Sequence, residues 1–172
     1  SVAASCKACG MIPAEYQEKL KAYEALLRKW QKAVNLVSPA TLEGAWQRHI
    51  VDSAQLAEFL PEGKFVLADL GSGAGFPGLV LAILRPDIEV HLIESDDKKC
   101  QFLKNVSRET FSPVTVHTAR VEACYGAVKP AVITARALAA LPDLLKMCLP
   151  WAVENPGLQM IFLKGERAEE EI

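Results

Sequence analysis

The segment "ADLGSGAGFPGLVLAIL", residues Ala68 to Leu84, constrains the fold of this chain more than any other feature. Four glycines fall within eight positions between two apolar runs, at Gly71, Gly73, Gly75 and Gly78. Glycine adopts positive φ angles without steric cost and lets another molecule approach the main chain. A strand, a glycine-rich turn and a helix in this order are typical of an open parallel sheet that binds a ligand beyond the carboxyl ends of its strands. The segment therefore predicts a ligand-binding first βα turn.

Strand-like and helix-like segments alternate on both sides of this turn. Five short apolar runs predict strands: "KFVLADL", "IEVHLIES", "PVTVHTA", "PAVITARA" and "LQMIFLKG". Helices are predicted at "FPGLVLAILR", in the segment that Ser95 would cap, and at "LPDLLKMCLPW", while "RVEACYG" is predicted to be a loop. The alternation predicts an α/β, Rossmann-like fold, with a mostly parallel central sheet flanked by helices.

The residues before the sheet predict a helical subdomain. Apolar side chains recur at helical spacing from Ala14 to about Val34, and Trp30 and Trp46 lie on such stripes as expected core residues. A second helical stretch starts with Ser38 as the cap and Pro39 as the first helical residue, and it is broken or bent near Gly44. The predicted domains are an irregular N-terminus (1–13), a helical subdomain (14–62) and a Rossmann-like domain (63–172).

Composition limits the classes of partner. The net charge of −2 arises from 19 basic and 21 acidic residues, so binding to nucleic acid would depend on a local patch. No apolar run reaches the roughly 18 residues of a membrane span, and no signal peptide opens the chain. We expect a cytoplasmic monomer. Five cysteines, an odd number, follow no disulfide-framework spacing, and Cys6 and Cys9 form a lone C-x-x-C without a second ligand pair, so no metal site is expected.

The residues around the turn select among ligands. Glu94 closes the second strand, 25 positions after Asp69, where a carboxylate can accept hydrogen bonds from both hydroxyls of a ribose. Asp69 would repel a pyrophosphate but would suit an ammonium group, and Phe76 stands where a dinucleotide turn has its third glycine. S-adenosylmethionine combines an adenosine end with an amino-acid end. A dehydrogenase stays as a weaker alternative, and the P-loop is excluded because no Gly-Lys-Ser/Thr follows.

Several motifs together resemble one family. The pattern D-x-G-x-G-x-G resembles that of class I S-adenosylmethionine-dependent methyltransferases. The further motifs are "W...NLVS" (Trp30, Asn35 to Ser38), "RHIVDS", "DLGSGAGFPG", "RVEA", "TARALA" and "FLKG". Their order and spacing over residues 14–172 resemble the bacterial small-subunit ribosomal RNA methyltransferase G family, also called glucose-inhibited division protein B. The resemblance implies methylation of N7 of one guanosine in 16S ribosomal RNA, with small-subunit ribosomal RNA or the 30S subunit as partner.

The resemblance also implies roles for individual residues. Gly71 and Phe76 would line the cofactor site, Val121 and Glu122 would contact its adenine region, and Arg136 would follow the fourth strand at the cofactor. The physical argument adds four cofactor contacts: Asp69, Gly73, Gly75 and Glu94. Three cations are expected to bind RNA through phosphate or the guanine O6 edge, namely Arg48, Arg136 and Lys164. The alternatives are that Arg136 pairs with Glu122 or Asp69 and that Lys164 is solvated.

The chemistry of guanine N7, the predicted methyl acceptor, explains why some catalytic motifs are absent from the sequence. Guanine N7 already presents an unprotonated lone pair, so no general base is required, and Arg136, Lys164 and His49 would act by positioning. "TARALA" stands where enzymes that methylate exocyclic amines carry Asn/Asp-Pro-Pro-aromatic. His49 has two interpretations: a buried hydrogen bond to Asp52, three positions later, or a place at the mouth of the site with Arg48 and Ser53.

Two other functions stay open from the sequence. A small-molecule methyltransferase would use the helical subdomain as a lid, and a non-catalytic module would bind S-adenosylmethionine or RNA without turnover. The resemblance further implies a helix and an antiparallel hairpin after the fifth strand, which the 172 residues do not include. The fifth strand would then be an exposed edge.

Overall fold

Five parallel strands form the centre of the molecule. The structure is a computed structural model that describes residues 12–137 and 140–164. The side chains of Ala137 and Lys164, which end these two ranges, are not described. The strands are β1 (Val66–Leu70), β2 (Glu89–Glu94), β3 (Thr115–Thr118), β4 (Val132–Ala137) and β5 (Gln159–Lys164). Their order in the sheet is β3-β2-β1-β4-β5, and every pair is parallel. The predicted α/β fold with a parallel five-stranded sheet is confirmed.

Helices cover both faces of this sheet. The N-terminal region holds α1 (Ala14–Gln31), α2 (Pro39–Leu42), a π-helical turn (Trp46–Val51), α3 (Asp52–Gln55) and a 3₁₀ turn (Leu56–Phe59). The crossovers hold α4 (Gly78–Leu84), α5 (Asp97–Glu109), a 3₁₀ turn (Val121–Cys124) and α6 (Leu141–Glu154). No helix among the described residues is long and apolar enough to cross a membrane.

The alternation of side chains along β1 divides the core in two. Leu67 points to the face on which α1, α4 and α5 pack, and Trp30 and Trp46 pack against that cluster as predicted. Ala68 and Leu70 point to the other face and pack with α6. Because β1 lies between β2 and β4, successive strands are added first on one side of β1 and then on the other. The carboxyl ends of β1 and β4 thus meet at the switch point where open α/β sheets bind ligands.

Local details differ from the sequence predictions in two places, whereas the predicted break near Gly44 is present. Asp96, not Ser95, caps α5, because the Asp96 carboxylate accepts a hydrogen bond of 3.0 Å from the Lys99 amide. The predicted loop "RVEACYG" contains the 3₁₀ turn at Val121–Cys124. The predicted break near Gly44 is followed by a π-helical turn, an arrangement that often occurs at functional sites. Residues 1–11 of the predicted irregular N-terminus, with its two cysteines, lie outside the described residues.

Candidate active site at the carboxyl end of the sheet

The first helix, α1, contacts the glycine turn after β1. The hydroxyl of Tyr23, in the middle of α1, is fully buried and donates a hydrogen bond to the carbonyl of Ala74. Gly75 has a φ of 96°, and a Cβ there would overlap Tyr23 Oη and lie 2.9 Å from Leu79 Cβ. Only glycine fits this position without displacing the helix or the turn.

Glu94 holds the same turn from the side. Its Oε1 accepts a hydrogen bond of 2.9 Å from the Gly73 amide, and its Oε2 accepts one of 2.8 Å from the Asp96 amide. The Ser72 amide also donates to the Ile93 carbonyl over 3.0 Å. A carboxylate has about four acceptor positions, so these two bonds are compatible with further bonds to ribose hydroxyls. The ribose role of Glu94 stays a prediction.

An open cleft lies beside Glu94, between the glycine turn and the connection from β3 to β4. Four residues predicted for the cofactor meet there: Gly71, Glu94, Val121 and Glu122. The sequence reasoning missed five other lining residues: Ile93, Ser95, Ala119, Arg120 and Met147. Position in the sequence could have identified Ile93, Ser95, Ala119 and Arg120, because they lie at or just after the carboxyl ends of β2 and β3, at the binding edge of the sheet. Apolar side chains beside the carboxylates of Glu94 and Glu122 suit a nucleoside, so the residues present fit S-adenosylmethionine.

Asp69 lies beneath the turn and not in the cleft. Its side chain is fully buried, and Oδ1 accepts a hydrogen bond of 2.7 Å from the Thr134 hydroxyl. Oδ2 lies against the start of α4 at Gly78, where a Cβ would come within 2.6 Å of the aspartate. Burial raises the pKa of Asp69 to about 6, against the lowering effects of Thr134, Ser72 and the Gly78 amide. A contact between this carboxylate and an ammonium group stays a prediction.

Arg136, His49 and Phe76 form a compact group next to the turn. Arg136 Nη2 lies 2.6 Å from His49 Nδ1, and Arg136 Cζ lies 5.8 Å from the centre of the Phe76 ring. The His49 ring stacks on Phe76 with centroids 4.9 Å apart and an interplanar angle of 16°. Phe76 is buried, with 2% of its surface exposed. The structure therefore joins a residue of the helical subdomain to predicted site residues of the sheet domain.

The partners of His49 differ from the predicted ones. Its Nε2 lies 3.0 Å from Thr41 Oγ1 and its Nδ1 is the partner of Arg136, so the predicted hydrogen bond to Asp52 is wrong for this structure. Burial, together with the charges of Arg136 and Arg48, lowers the pKa of His49 to about 4. His49 is a buried, neutral ring that accepts a hydrogen bond from a cation.

The remaining predicted residues lie in different environments. Arg48 is exposed on the π-helical turn, whereas Ser53 is fully buried and cannot line a mouth that is open to solvent. Lys164 ends β5 and pairs with the end of β4, but its side chain lies outside the described part of the chain. Within residues 12–137 and 140–164, no group of three or more His, Cys, Asp and Glu residues is arranged to hold a metal ion.

The parallel strand order and the cleft at the carboxyl ends of the strands define a Rossmann-like α/β fold. A methyltransferase from Geobacter sulfurreducens superposes with a TM-score of 0.52 at 13% identity, over 85% of this chain and 70% of that one. A precorrin 8w decarboxylase from Methanobacterium thermoautotrophicum superposes with a TM-score of 0.51 at 19% identity, over 67% and 62% of the two chains. At these identities the likeness establishes the fold alone.

Sequence comparison identifies the family within this fold. The family described as rRNA small subunit methyltransferase G matches residues 16–172. Proteins named ribosomal RNA small subunit methyltransferase G from Rhodospirillum centenum and Parvibaculum lavamentivorans are 52% and 49% identical, over 94% of this chain and 73% and 72% of their own lengths. A relative of the same name from Rhizobium meliloti is 42% identical over 94% of this chain and 78% of its own length. This chain belongs to the rRNA small subunit methyltransferase G family.

Proposed function

We propose that this protein transfers a methyl group from S-adenosylmethionine to N7 of a guanosine in 16S ribosomal RNA, as a cytoplasmic monomer. The match to the ribosomal RNA methyltransferase family over residues 16–172 carries the proposal. The cleft beside the glycine turn supports it, because the cleft combines apolar side chains with carboxylates, as a nucleoside requires.

The cofactor would lie along the carboxyl edge of the sheet. Ile93 and Val121 supply apolar surface for the adenine ring, Glu94 is placed to accept bonds from the ribose hydroxyls, and Gly71 leaves room beside the main chain. Glu122 would contact the adenine region. Bound there, S-adenosylmethionine supplies an electrophilic methyl group on a sulfonium centre. The Gly73 amide ties the turn to Glu94, and Gly75 leaves the space that Tyr23 needs to bond the Ala74 carbonyl.

The protein's own contribution to the reaction is the placement of guanine. The N7 atom carries its lone pair in the plane of the ring, so the protein needs no group to remove a proton before attack. Arg136 lies beside the turn, where a guanidinium can donate to the guanine O6 or to a phosphate. The exposed Arg48 would bind RNA phosphate at the rim, and Lys164 at the end of β5 would assist.

Methyl transfer at several salt concentrations tests this function against its alternatives. Labelled S-adenosylmethionine would be offered with unmodified 30S subunits, and we expect label in the RNA at a rate that falls steeply as salt rises, because phosphate contacts release counterions. Arg48→Ala should reduce this dependence on salt, and Gln47→Ala on the same exposed turn is the matched control. Label in a small metabolite that is insensitive to salt, or cofactor binding without S-adenosylhomocysteine, would refute the proposal.

A further inference from the structure

A line of hydrogen bonds runs from the helical subdomain to the end of β4. Ser38 Oγ lies 2.9 Å from Thr41 Oγ1, which lies 3.0 Å from His49 Nε2. His49 Nδ1 lies 2.6 Å from Arg136 Nη2, 87 positions later in the sequence. The line connects α2, the π-helical turn and the central sheet. Thr41 and His49 are both buried, with 3% of their surface exposed.

The chemistry of the groups fixes the direction of every bond in this line. A guanidinium only donates, so His49 Nδ1 accepts from Arg136 and carries no proton. The proton of the neutral ring is therefore on Nε2, which donates to Thr41 Oγ1. The Thr41 hydroxyl uses its own hydrogen to bond the Ser38 carbonyl over 3.0 Å, so it accepts from both His49 and the Ser38 hydroxyl. Two lone pairs on Thr41 Oγ1 are sufficient for this.

The residues around His49 restrict the position of its ring. His49 is stacked on Phe76, and the guanidinium of Arg136 lies over the same Phe76 ring. The charges that act on the ring include Arg48 on its own turn and Arg136 on β4, and both oppose a positive charge on His49. A ring that stays neutral can accept from Arg136 only if its proton is on Nε2. The acceptor for that proton is Thr41.

We propose that Thr41 is a positioning residue for the methyl-transfer reaction: it accepts the Nε2 proton of His49 and so orients the ring, and His49 holds the Arg136 guanidinium beside the cofactor turn. The role in the reaction rests on the proposed function, because it acts through Arg136. Without the Thr41 oxygen, the Nε2–H of His49 loses its acceptor, and the ring loses the contact that orients Nδ1 toward Arg136. The bond from Arg136 to His49 would then be weakened.

A double-mutant cycle between Thr41 and Arg136 tests the proposal. Thr41→Val keeps the size of the side chain and removes the acceptor. We expect kcat/KM for 30S subunits to fall about fivefold to tenfold, the range for one lost buried hydrogen bond, with unchanged affinity for S-adenosylmethionine. Thr41→Ser should restore most of this loss. In an Arg136→Ala background, Thr41→Val should cause no further loss, since two residues that act through one contact are not additive. Equal losses in both backgrounds would overturn the proposal.

Two controls separate positioning from stability and from the proposed function. Thr115→Val makes the same chemical change on the exposed edge strand β3, and it should leave kcat/KM unchanged. Nitrogen-15 NMR of the His49 ring requires no turnover: we expect the proton on Nε2 in the wild type, and in Thr41→Val a changed Nε2 chemical shift and faster exchange of that proton, because its acceptor is lost. A wild type that methylates no RNA would refute the proposed function, whereas an Nε2–H signal that is the same in both proteins would refute the orientation of His49 by Thr41.

Discussion

Tyr23 of the first helix donates a hydrogen bond to the main-chain carbonyl of Ala74, at the centre of the glycine turn. The Tyr23 ring also packs on Phe76, with centroids 5.2 Å apart, and edge-on against Phe102 at 6.2 Å. The helical subdomain thus contributes directly to the shape of the predicted cofactor turn. A lid that only closed over a finished site would not need a buried bond of this kind.

Removal of the Tyr23 hydroxyl is expected to weaken both the fold and the turn. Tyr23→Phe leaves the Ala74 carbonyl buried without its donor, so the free energy of unfolding should fall by about 1–2 kcal/mol. The affinity for S-adenosylmethionine should fall several-fold, measured by calorimetric titration. Tyr16→Phe, on the same helix and only partly buried, is the matched control and should leave cofactor affinity unchanged. Equal cofactor affinity in both variants would contradict the role of Tyr23 in the turn.

A side chain at Gly75 is expected to disrupt the same contact. Gly75→Ala would combine a strained φ of 96° with overlap against Tyr23 and Leu79. Strain of this kind and overpacking each cost about 1–3 kcal/mol, so urea unfolding should show a loss of about 3 kcal/mol. Gly126→Ala is the control, because a Cβ there meets nothing within 4 Å. A loss in Gly75→Ala no larger than in Gly126→Ala would show that the turn has more room than the structure gives it.

Asp69 is expected to make stability depend on pH. Burial raises its pKa to about 6 in the folded protein, above the ordinary 3.8, so the folded state binds more protons between these values. The contribution of Asp69 to stability is therefore present below pH 3.8 and is lost as pH rises through 6. The loss amounts to about 3 kcal/mol. In urea unfolding from pH 4 to 7, the stability of the wild type should fall by this amount relative to Asp69→Asn as pH rises, and parallel curves would refute it.

His49 is expected to make stability depend on pH in the opposite direction to Asp69, over nearly the same pH range. Burial lowers its pKa to about 4 from the ordinary 6.5, so the unfolded state binds more protons between these values. The neutral ring contributes stability above pH 6.5, and that contribution decreases as pH falls through 4, by up to about 3 kcal/mol. Comparison with His49→Gln isolates it, since Asp69 is the same in both proteins. If the difference between the two proteins were constant from pH 4 to 7, the ring would not be held neutral.

Periodicity predicted the fold, but it could not predict the contacts that build the site. The alternation of strands and helices determines a parallel sheet, and the glycine spacing locates its binding edge. The contact between His49 and Arg136 joins residues 87 positions apart, and no local pattern encodes it. Thr41 gave no signal of its own, because its hydroxyl becomes important only when α2 lies beside the π-helical turn.

Asp69 shows a different limit of sequence reasoning. Its charge and its place before the turn favoured a ligand contact. The period of two along β1 puts Asp69 on the same face as Leu67, beneath α4, and this signal was available in the sequence. The Thr134 hydroxyl on the neighbouring strand then supplies a partner for the buried carboxylate. An acidic residue on an otherwise hydrophobic strand face is better interpreted first as a buried residue with a hydrogen-bond partner.

Nucleoside mass spectrometry of methylated 30S subunits tests the central claim most directly. Unmodified subunits would be incubated with the protein and S-adenosylmethionine, and their 16S ribosomal RNA would be digested to nucleosides. The account predicts newly formed 7-methylguanosine, and a strong reduction of it in Arg136→Ala, in which cofactor affinity is measured separately. A methyl group on any other atom, or no methylated nucleoside despite measurable cofactor binding, would contradict the account.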